Sequence, residues 1–534
     1  MSNRRLKFWG WGFEDTLLSA NEIALLEGNY AKRLAVSGFQ ATPAPKAEEI
    51  TLRKPRLDIP SSLQNICTTD HYERLLHSYG KSFFDSARAF TRDFSNPPDV
   101  IALPKNEQDI IDVLDWCGRE DAIVIPFGGG SSVVGGVEPP SGKYAERPVV
   151  TIDLRNLNQV LEIDEKSQSA RIQGGMFGPA LEAALKTKGL TLRHLPQSFE
   201  FSTLGGWIVT RGGGHYATLY THIDDLVESI RSVTPIGVME SRRLPGSGAG
   251  PSPDRMMIGS EGTLGIVTEA WMKVRKRPVF RANTSVYFKD FYQAADCVRA
   301  IAQAHLYPSN CRLVDATEAA LTGAGDGTQH MVVLAFESAD HPVTEWMKRT
   351  LELVADYGGE YDKQALQSEA GNREGAAGQW RDSFIRMPYF RENLTARGII
   401  TETFESAITW DKLNDFHSNI MDATHRAIKE ATGQAGIVTC RFTHVYPDGA
   451  APYFSFHGLG DKNNLVEQCW RIKRIVSDVL IKHGGTITHH HAVGRDHRAW
   501  YDKQRPDVFA KAFVAAKKAL DPKGMLNPGV LIDP

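Results

Sequence analysis

The sequence predicts an α+β protein of several domains. From residue 96 to 278, short β-branched runs alternate with helical patterns and glycine-rich turns, and from 279 to 488 this alternation restarts as a second α/β unit. At 534 residues the chain is too long for one hydrophobic core, and roughly 150 residues per domain gives three or four structural units. We divide it into a helical N-terminal region (1–95), a first domain (96–278), a cap domain (279–488) and a C-terminal segment (489–534).

Capping residues and hydrophobic periodicity predict the individual elements. Asn106 is placed to cap a helix that runs to Cys117, and Pro179 starts a helix that Gly189 ends. Four prolines between residues 40 and 60 predict an extended connector inside the N-terminal region. Further strands are predicted at 122–125, 149–154, 266–274, 437–444 and 453–457, and further helices at 411–431 and 506–520.

The composition excludes several classes of protein. The chain has 61 Lys+Arg against 64 Asp+Glu, a formal net charge of -3, so we expect no nucleic-acid partner. No apolar run approaches the roughly 18–20 residues of a membrane span. The start lacks the apolar core of a secretory signal and the ending LIDP is no peroxisomal signal, so we expect a cytoplasmic protein. The six scattered cysteines are expected to be reduced core residues.

A glycine run directly follows the strand predicted at 122–125. Consecutive glycines at 128–130 let backbone N–H groups converge on an anion, and Ser131 and Ser132 add hydroxyls, an arrangement that suits a pyrophosphate. No Gly-Lys-Ser/Thr follows and the G-x-G-x-x-G spacing is absent, so neither a P-loop nor a Rossmann site is predicted. The alternative for this run is a plain turn between strands.

Two further glycine clusters favour the anion-binding interpretation over a plain turn. PFGGGSS (126–132), STLGG (202–206) and GSEGTLGI (259–266), in this order, resemble the FAD-binding domain of the vanillyl-alcohol oxidase type, also called PCMH-type. The resemblance implies FAD, with its pyrophosphate on the first loop and the other segments along the ribityl chain and ring. The FAD contacts that it implies are Pro126, Phe127, Gly128, Gly129, Gly130, Ser131, Ser132, Gln197, Ser198, Ser202, Thr203, Thr210, Arg211, Gly212, Gly213, Glu261, Gly262, Thr263, Leu264, Gly265, Ile266 and Val267.

Some members of that family attach FAD covalently through a histidine or a cysteine. The first glycine loop contains neither residue type, and His194 and His215 are the nearby alternatives. We expect noncovalent FAD.

Nearly the whole chain, from Leu6 onward, resembles the alkyldihydroxyacetone-phosphate synthase family. The resemblance is carried by WGWGFED (9–15), residues 220–235, CRLVD (311–315), FESAITW (404–410) and the triplet at 489–491. It implies an enzyme of ether-lipid synthesis, a transferase that replaces the acyl chain of acyl-dihydroxyacetone phosphate by a fatty alcohol without net oxidation. A homodimer and a peripheral membrane contact are left open, the latter through Trp9, Trp11 and Phe13, for which buried packing is the favoured alternative.

The same resemblance implies the substrate-binding arginines. Arg391 falls where the family has its phosphate-binding arginine, and a guanidinium fork matches phosphate oxygens. Arg312 also matches a family arginine, with a structural or flavin-proximal place. The alternative for either residue is a solvated surface arginine.

Tyr453, in PYFSF, matches the tyrosine of the family's active-site strand. Taking a proton from the carbon beside a ketone needs a positioned base, and a tyrosine with a depressed pKa could serve. The alternative is an interior tyrosine whose hydroxyl is hydrogen-bonded.

His489, His490 and His491 lie in the active site of that family, where imidazoles polarise the substrate or shuttle protons. On an extended backbone His489 and His491 would share a side and His490 would oppose them. Only Asp496 and His497 lie nearby as further ligands, so we predict no metal centre.

The main alternative function is an FAD-linked D-2-hydroxy-acid (lactate or glycolate) dehydrogenase or oxidase on the same fold. The ending LDPKGMLNPG (520–529) is frequent in those enzymes. Their metal motif H-x-G-D-G-N-x-H is reduced here to HGLGDKNNL (457–465), and histidine occupies the position of their glutamate at His490. A non-enzymatic flavoprotein is the third class, which the joint presence of Arg391, Tyr453 and the histidines disfavours.

Overall fold

The N-terminal region is helical, as predicted. The structure, a computed structural model, describes residues 4–361 and 376–533, and only the backbone of 376–385. The elements up to residue 95 are α1 (Ala20–Arg33), β1 (Cys67–Thr68), α2 (His71–Leu76) and α3 (Phe83–Phe90). Ser19, Asp70 and Ser82 cap the three helices by accepting the N–H group of the third residue that follows each of them. The connector at 40–60 is extended except for a single 3-10 turn.

The aromatic residues at the start of the chain pack inward. Trp11 is buried and Trp9 and Phe13 are partly buried. Lys7 is buried as well, and its ammonium lies 2.5 Å from the carboxylate of Glu392. Among the described residues, no helix is long and apolar enough to cross a membrane.

Two larger sheets form the first domain, and residues 190–191 and 275–276 pair in a separate two-stranded sheet. One has the strand order β1-β2-β4-β3, in which β2, β4 and β3 are parallel, and the other is antiparallel with the order β5-β6-β10-β8-β9. Asn106 caps the predicted helix, and its side chain accepts the N–H group of Asp109. The elements are β2 (Val100–Ala102), α4 (Glu107–Arg119), β3 (Ile123–Phe127), β4 (Val149–Asp153), β5 (Val160–Asp164), β6 (Ser169–Gln173), α5 (Gly178–Lys186), β7 (Leu190–Thr191), α6 (Leu204–Thr210), α7 (Ala217–Tyr220), α8 (Ile223–Leu226), β8 (Val227–Thr234), β9 (Gly237–Glu240), α9 (Pro253–Met257), β10 (Ile266–Lys273) and β11 (Arg275–Lys276).

The cap domain is built on one antiparallel sheet with the order β15-β12-β14-β13-β18-β19-β16, and β17 also pairs with β19. Its helices bury their apolar faces against this sheet. The elements are β12 (Phe280–Phe288), α10 (Phe291–Gln303), β13 (Asn310–Val314), α11 (Ala316–Leu321), β14 (His330–Ser338), α12 (Thr344–Asp356), β15 (Glu360–Tyr361), α13 (Ala376–Ala396), β16 (Ile399–Glu405), β17 (Ile408–Thr409), α14 (Leu413–Thr432), β18 (Ile437–Val445), β19 (Gly449–Leu459) and α15 (Leu465–Lys482).

Strand β19 begins four residues before the predicted start at 453. Pro452 makes a strand hard to predict there, because proline cannot donate a hydrogen bond to the ladder. The structure accommodates it opposite Phe442, where the pairing with β18 shifts register between Phe442 and His444. This irregularity lets β19 continue through Pro452 to Gly449.

The C-terminal segment crosses from the cap back to the first domain. After the histidine loop, defined here as residues 488–494, it forms α16 (Arg498–Gln504) and α17 (Asp507–Leu520). Leu526 then forms a parallel bridge with Val124 of β3. The last residues therefore close the sheet whose end carries the glycine loop.

A buried lysine fixes this crossing. Lys517 of α17 and Asp521 are both fully buried, and the Lys517 ammonium lies 2.5 Å from the Asp521 carboxylate. The same ammonium donates to the carbonyl oxygens of Thr263 and Leu526, each at 2.7 Å. Thr263 belongs to the third glycine cluster and Leu526 pairs with β3, so one charge connects three segments.

We predict that Lys517→Met lowers the free energy of unfolding by about 3–5 kcal/mol, because it leaves the Asp521 carboxylate buried without its partner. Lys518→Met, at the exposed neighbouring position, is the matched control and should change it by less than about 0.5 kcal/mol. Urea denaturation followed by tryptophan fluorescence measures both. Equal stability of the two variants would contradict this role of Lys517.

Candidate active site

One cavity of about 780 Å³ is lined by both domains and by the histidine loop. The three glycine clusters form its first-domain wall. The residues predicted to contact FAD that line it are Pro126, Phe127, Gly128, Gly129, Gly130, Ser131, Ser132, Gln197, Ser198, Ser202, Thr203, Thr210, Gly212, Gly213, Glu261, Gly262, Gly265, Ile266 and Val267.

This wall fits a dinucleotide. A Cβ atom on Gly128 would lie 2.2 Å from Thr203 Oγ1, and one on Gly129 would lie 1.9 Å from the Phe201 carbonyl oxygen, so only glycine allows the two clusters to meet. Thr203 Oγ1 is buried and has no hydrogen-bond partner among the described residues. A bound ligand with polar groups along its length would satisfy it.

Three residues predicted as FAD contacts lie elsewhere. Arg211 points outward from the end of α6, where its guanidinium pairs with Asp224 at 2.8 Å. Leu264 belongs to the apolar core of the first domain, and the Thr263 hydroxyl is buried and donates to the Ser260 carbonyl oxygen. Residues 261–264 form a turn, with positive φ angles at Glu261 and Gly262, and this turn directs Thr263 and Leu264 away from the cavity.

The cap wall is formed by alternate residues of two paired strands. Thr401, Thr403 and Glu405 of β16 stand directly opposite His457, Ser455 and Tyr453 of β19, respectively. Because side chains alternate along a strand, these six share one face of the sheet. All of them except Glu405 line the cavity.

Tyr453 lies at the centre of this wall. Its hydroxyl donates to Thr403 Oγ1 at 3.0 Å, and the guanidinium of Arg441 lies 4.0 Å from the centre of its ring. Burial raises the pKa of Tyr453 above its ordinary value, and this outweighs the opposing effect of Arg441. The expectation of a depressed pKa is therefore wrong, and the hydroxyl rests as a proton donor.

Arg391 projects from α13 into the cavity wall. One of its guanidinium nitrogens donates to the Lys81 carbonyl oxygen at 2.6 Å, and the other lies 3.9 Å from Glu402. A guanidinium has five N–H donors, so these contacts orient it and leave donors for a ligand in the cavity.

Arg312 does not line the cavity. It is buried on β13, and burial together with the nearby Arg441 lowers its pKa to about 9. Its place in the interior of the cap sheet favours a structural role over direct contact with a substrate.

The histidine loop is held by Glu405. The backbone N–H groups of His489, His490 and His491 all donate to Glu405 Oε1, at 3.1, 2.7 and 2.6 Å. The Thr488 hydroxyl also donates to this oxygen, at 2.9 Å. Burial opposes ionisation of Glu405, and the nearby His490 and His491 outweigh it and hold its pKa well below the ordinary value.

The loop is not extended, so the expected alternation of the histidines is wrong. His490 and His491 both line the cavity, whereas His489 points away from it, toward Tyr446. The rings of His490 and His491 lie 6.0 and 5.3 Å from the ring of Tyr453, between centres. The loop curls because its N–H groups converge on one carboxylate.

A second carboxylate holds the far end of the same loop. Glu261 Oε1 and Oε2 accept the N–H groups of Val493 and Gly494, at 2.8 and 2.7 Å. Burial raises the pKa of Glu261 to about 7, against the lowering effect of these two bonds. Ala492 and Gly494 both have positive φ angles, 74° and 56°, which close the turn between the two anchors.

The ending LDPKGMLNPG has a structural role here. Asn527 donates through Nδ2 to the carbonyl oxygens of Gly136 and Glu261, at 3.0 and 2.9 Å. It also accepts from Arg495 at 3.0 Å. Asn527, in the ending that suggested a dehydrogenase, therefore connects Gly136, which follows the first glycine loop, and Glu261 to Arg495, which follows the histidine loop.

One part of the cavity, which we call the apolar arm, is lined by helices α1, α11 and α13, and the sequence did not reveal it. Its apolar lining residues are Leu25, Leu26, Leu321, Met387, Pro388, Phe390 and Leu394, and the ion-paired Glu22 and Arg386 line it as well. His457 also lines the cavity, with Nδ1 3.2 Å from the Tyr30 hydroxyl and 2.9 Å from the Thr401 hydroxyl. Burial lowers the pKa of His457 to about 4, so this histidine is neutral.

Within the part of the chain that the structure describes, no group of metal ligands includes His457. The sets found there that bring ligating atoms within 4.8 Å of one another are His444, His489 and His490, and Glu405, His490 and His491. Several of these nitrogens already lie at hydrogen-bonding distance from protein groups, such as His444 Nε2 from the Gly214 carbonyl oxygen at 3.1 Å. The absence of a metal centre stays a prediction.

Known proteins resemble this chain over nearly its whole length. A family model described as FAD binding domain matches residues 98–241, and one described as FAD linked oxidases, C-terminal domain, matches 277–531. The alkyldihydroxyacetonephosphate synthase of Trypanosoma brucei brucei is 30% identical, over 87% of this chain and 78% of its own. That of Dictyostelium discoideum is 29% identical, over 99% and 94%. Glycolate oxidase subunit GlcD of Bacillus subtilis is 26% identical, over 86% and 96%.

Solved structures give the same order of similarity. An alkyldihydroxyacetonephosphate synthase superposes with a TM-score of 0.82 at 27% identity, over 98% of both chains. p-Cresol methylhydroxylase shares the fold, with a TM-score of 0.68 at 14% identity, over 88% of this chain and 94% of its own. With a relative at 30% identity across most of the chain, and FAD-type models on both domains, this chain belongs to the alkyldihydroxyacetone-phosphate synthase family and has FAD as its cofactor.

Proposed function

We propose that this protein is an FAD-dependent alkyldihydroxyacetone-phosphate synthase, which replaces the acyl chain of acyl-dihydroxyacetone phosphate by a fatty alcohol. The observation that carries the proposal is one cavity with three chemically distinct parts. A glycine-lined wall suits a dinucleotide, Arg391 suits a phosphate, and the apolar arm suits a long alkyl chain. A lactate or a glycolate would leave the arm empty.

The first domain binds FAD noncovalently in this proposal. FAD, when bound, supplies a flavin ring that can take up electron density from the substrate. Among the described residues that line the cavity there is no cysteine, and the histidines there are His457, His490 and His491, all on the cap side or in the histidine loop. His194 and His215, the alternative attachment residues, are not among them. Acid precipitation should release the flavin into the supernatant, and flavin kept in the pellet would contradict noncovalent binding.

The lipid substrate enters beside α1. Leu25 lines the apolar arm and is 67% exposed, and Leu17, just before the helix, is 73% exposed. An exposed leucine that lines an apolar cavity, with a second exposed leucine near it in the sequence, suits contact with a lipid surface, and this supports a peripheral membrane contact. The homodimer and the cytoplasmic location stay predictions.

In this proposal Tyr453 is the proton donor to the substrate and His490 is the residue that takes up a proton. The Tyr453 hydroxyl is a donor at rest and hydrogen-bonds an oxygen of the substrate. His490 is the base, since the Glu405 carboxylate lies 2.5 Å from its Nδ1 and stabilises the imidazolium that forms. His491, whose pKa burial lowers to about 4, packs its ring edge-on against Tyr453 and stays neutral.

The function is tested by incubating the purified FAD-loaded protein with acyl-dihydroxyacetone phosphate and hexadecanol, and separately with D-lactate and D-glycolate. We expect an ether-linked product and released fatty acid in the first mixture, detected by mass spectrometry, and no flavin bleaching under anaerobic conditions in the others. Bleaching by a hydroxy acid without any ether product would establish the dehydrogenase instead.

We predict that Arg391→Lys raises the KM for acyl-dihydroxyacetone phosphate about 10- to 100-fold, because lysine keeps the charge and loses the bidentate fork. FAD affinity should stay within about 2-fold. Arg397→Lys is the matched control: Arg397 also donates to a backbone carbonyl and pairs with a glutamate, and it does not line the cavity. An unchanged KM in Arg391→Lys would remove this residue from the phosphate site.

We predict that Tyr453→Phe lowers kcat by about 10²–10⁴ while FAD content and the thermal midpoint change little, because only the proton-donating hydroxyl is lost. Tyr79→Phe is the matched control. Tyr79 is buried, its hydroxyl is hydrogen-bonded and an arginine, Arg88, lies 4.3 Å above its ring, but it is absent from the cavity. Turnover near the wild-type rate in Tyr453→Phe would exclude it from the mechanism.

A further inference from the structure

A chain of hydrogen-bonding side chains leads from the cavity to the surface. His490 Nδ1 lies 3.1 Å from His489 Nδ1, and His489 Nε2 lies 2.7 Å from the Tyr446 hydroxyl. The same hydroxyl is hydrogen-bonded to Nε2 of His222. Every group in this chain both gives and takes a proton.

The outer end of the chain reaches solvent. His222 is partly exposed and follows the exposed Thr221, at the start of α8. Tyr446 is also partly exposed, and Pro447 and Asp448 in the turn beside it are exposed. The inner end is His490, whose ring lines the cavity.

We propose that His489, Tyr446 and His222 form a relay that carries the reaction proton from His490 to solvent. The inference rests on the proposed function. In that reaction the alcohol loses its O–H proton and its oxygen forms a new bond to the substrate carbon that carried the acyl ester. The bond from this carbon to the ester oxygen breaks, and the acyl group leaves as a carboxylate. Each turnover therefore leaves one proton in a cavity whose walls are largely buried.

One assignment of protons supports transfer in the outward direction. In this assignment, the Nδ1–H group of His490 is shared between Glu405 and the lone pair of His489 Nδ1. The Nε2–H group of His489 donates to the Tyr446 oxygen, and the Tyr446 O–H group donates to His222 Nε2. When His490 takes a proton on Nε2, each group passes on the one that it donates. His222 ends as an imidazolium at the surface and releases the proton to water.

The surroundings keep the relay neutral between turnovers. Burial lowers the pKa of His489 to about 3, with a further lowering from His490. Burial also lowers the pKa of His222 and raises that of Tyr446. His444 packs beside the relay, with its ring centre 4.9 Å from that of His489 and its Nε2 held by the Gly214 carbonyl oxygen. A neutral chain accepts the next proton without first losing one.

The test compares two relay variants with a matched control in the FAD-loaded enzyme. Tyr446→Phe removes the central hydroxyl, and His222→Gln keeps a hydrogen-bonding side chain at the outer end that cannot take up a proton. Tyr292→Phe is the control, because the Tyr292 hydroxyl also lies 3.2 Å from a histidine nitrogen, that of His417, away from the cavity. Turnover is measured in dilute buffer, with and without added imidazole.

We expect kcat to fall about 10- to 100-fold in both relay variants, with KM for both substrates within about 2-fold and the control unchanged. Added imidazole should restore most of the turnover of His222→Gln, which a purely structural defect would not allow. If Tyr446→Phe does not fold, His222→Gln with imidazole decides alone.

Wild-type turnover in either folded relay variant overturns the relay and leaves the proposed function in place. A loss in His222→Gln that imidazole does not restore also overturns it. A wild-type enzyme that forms no ether product overturns the proposed function, and the relay with it.

Discussion

The site depends on two buried carboxylates that accept hydrogen bonds from the two ends of the histidine loop. Glu405 comes from the cap sheet and accepts three consecutive backbone N–H groups, and Glu261 comes from the first domain and accepts two more. Charge-assisted bonds to a buried carboxylate are among the stronger hydrogen bonds in proteins. The loop is therefore hydrogen-bonded to both domains, and any shift of one domain relative to the other moves its histidines.

These two sets of hydrogen bonds determine where the histidine loop lies in the cavity. Glu405 stands opposite Tyr453 on the neighbouring strand, so the residue that holds the loop also places it against the proposed proton donor. Glu261 lies in the third glycine cluster, so its hydrogen bonds also fix the position of the loop relative to the wall that fits FAD. Asn527 and the buried Lys517 fix the rest of the C-terminal segment to that wall.

The sequence predicted the fold and the first-domain wall better than it predicted the cap wall. Glycine clusters are visible because their backbone conformations and close contacts exclude other residues, as at Gly129. The polar face of the cap sheet was missed, because Glu402 lies between Thr401 and Thr403 and hides the alternation of polar and apolar residues in β16. The pKa of Tyr453 and the orientation of His489 depend on neighbours far along the chain, and no local pattern contains that information.

Hydrogen exchange of the histidine loop, followed by mass spectrometry, tests most directly whether the two carboxylates hold the loop. Above the raised pKa of Glu261, which is about 7, both carboxylates are ionised, and there we predict that the amides of residues 489–491 and 493–494 exchange slowly in the wild-type protein. At the same pH, Glu405→Gln should accelerate exchange at 489–491 and Glu261→Gln at 493–494, because each variant loses a charge-assisted acceptor. Wild-type loop amides that exchange as fast as those of the exposed residues 246–248 would contradict this role of the two carboxylates.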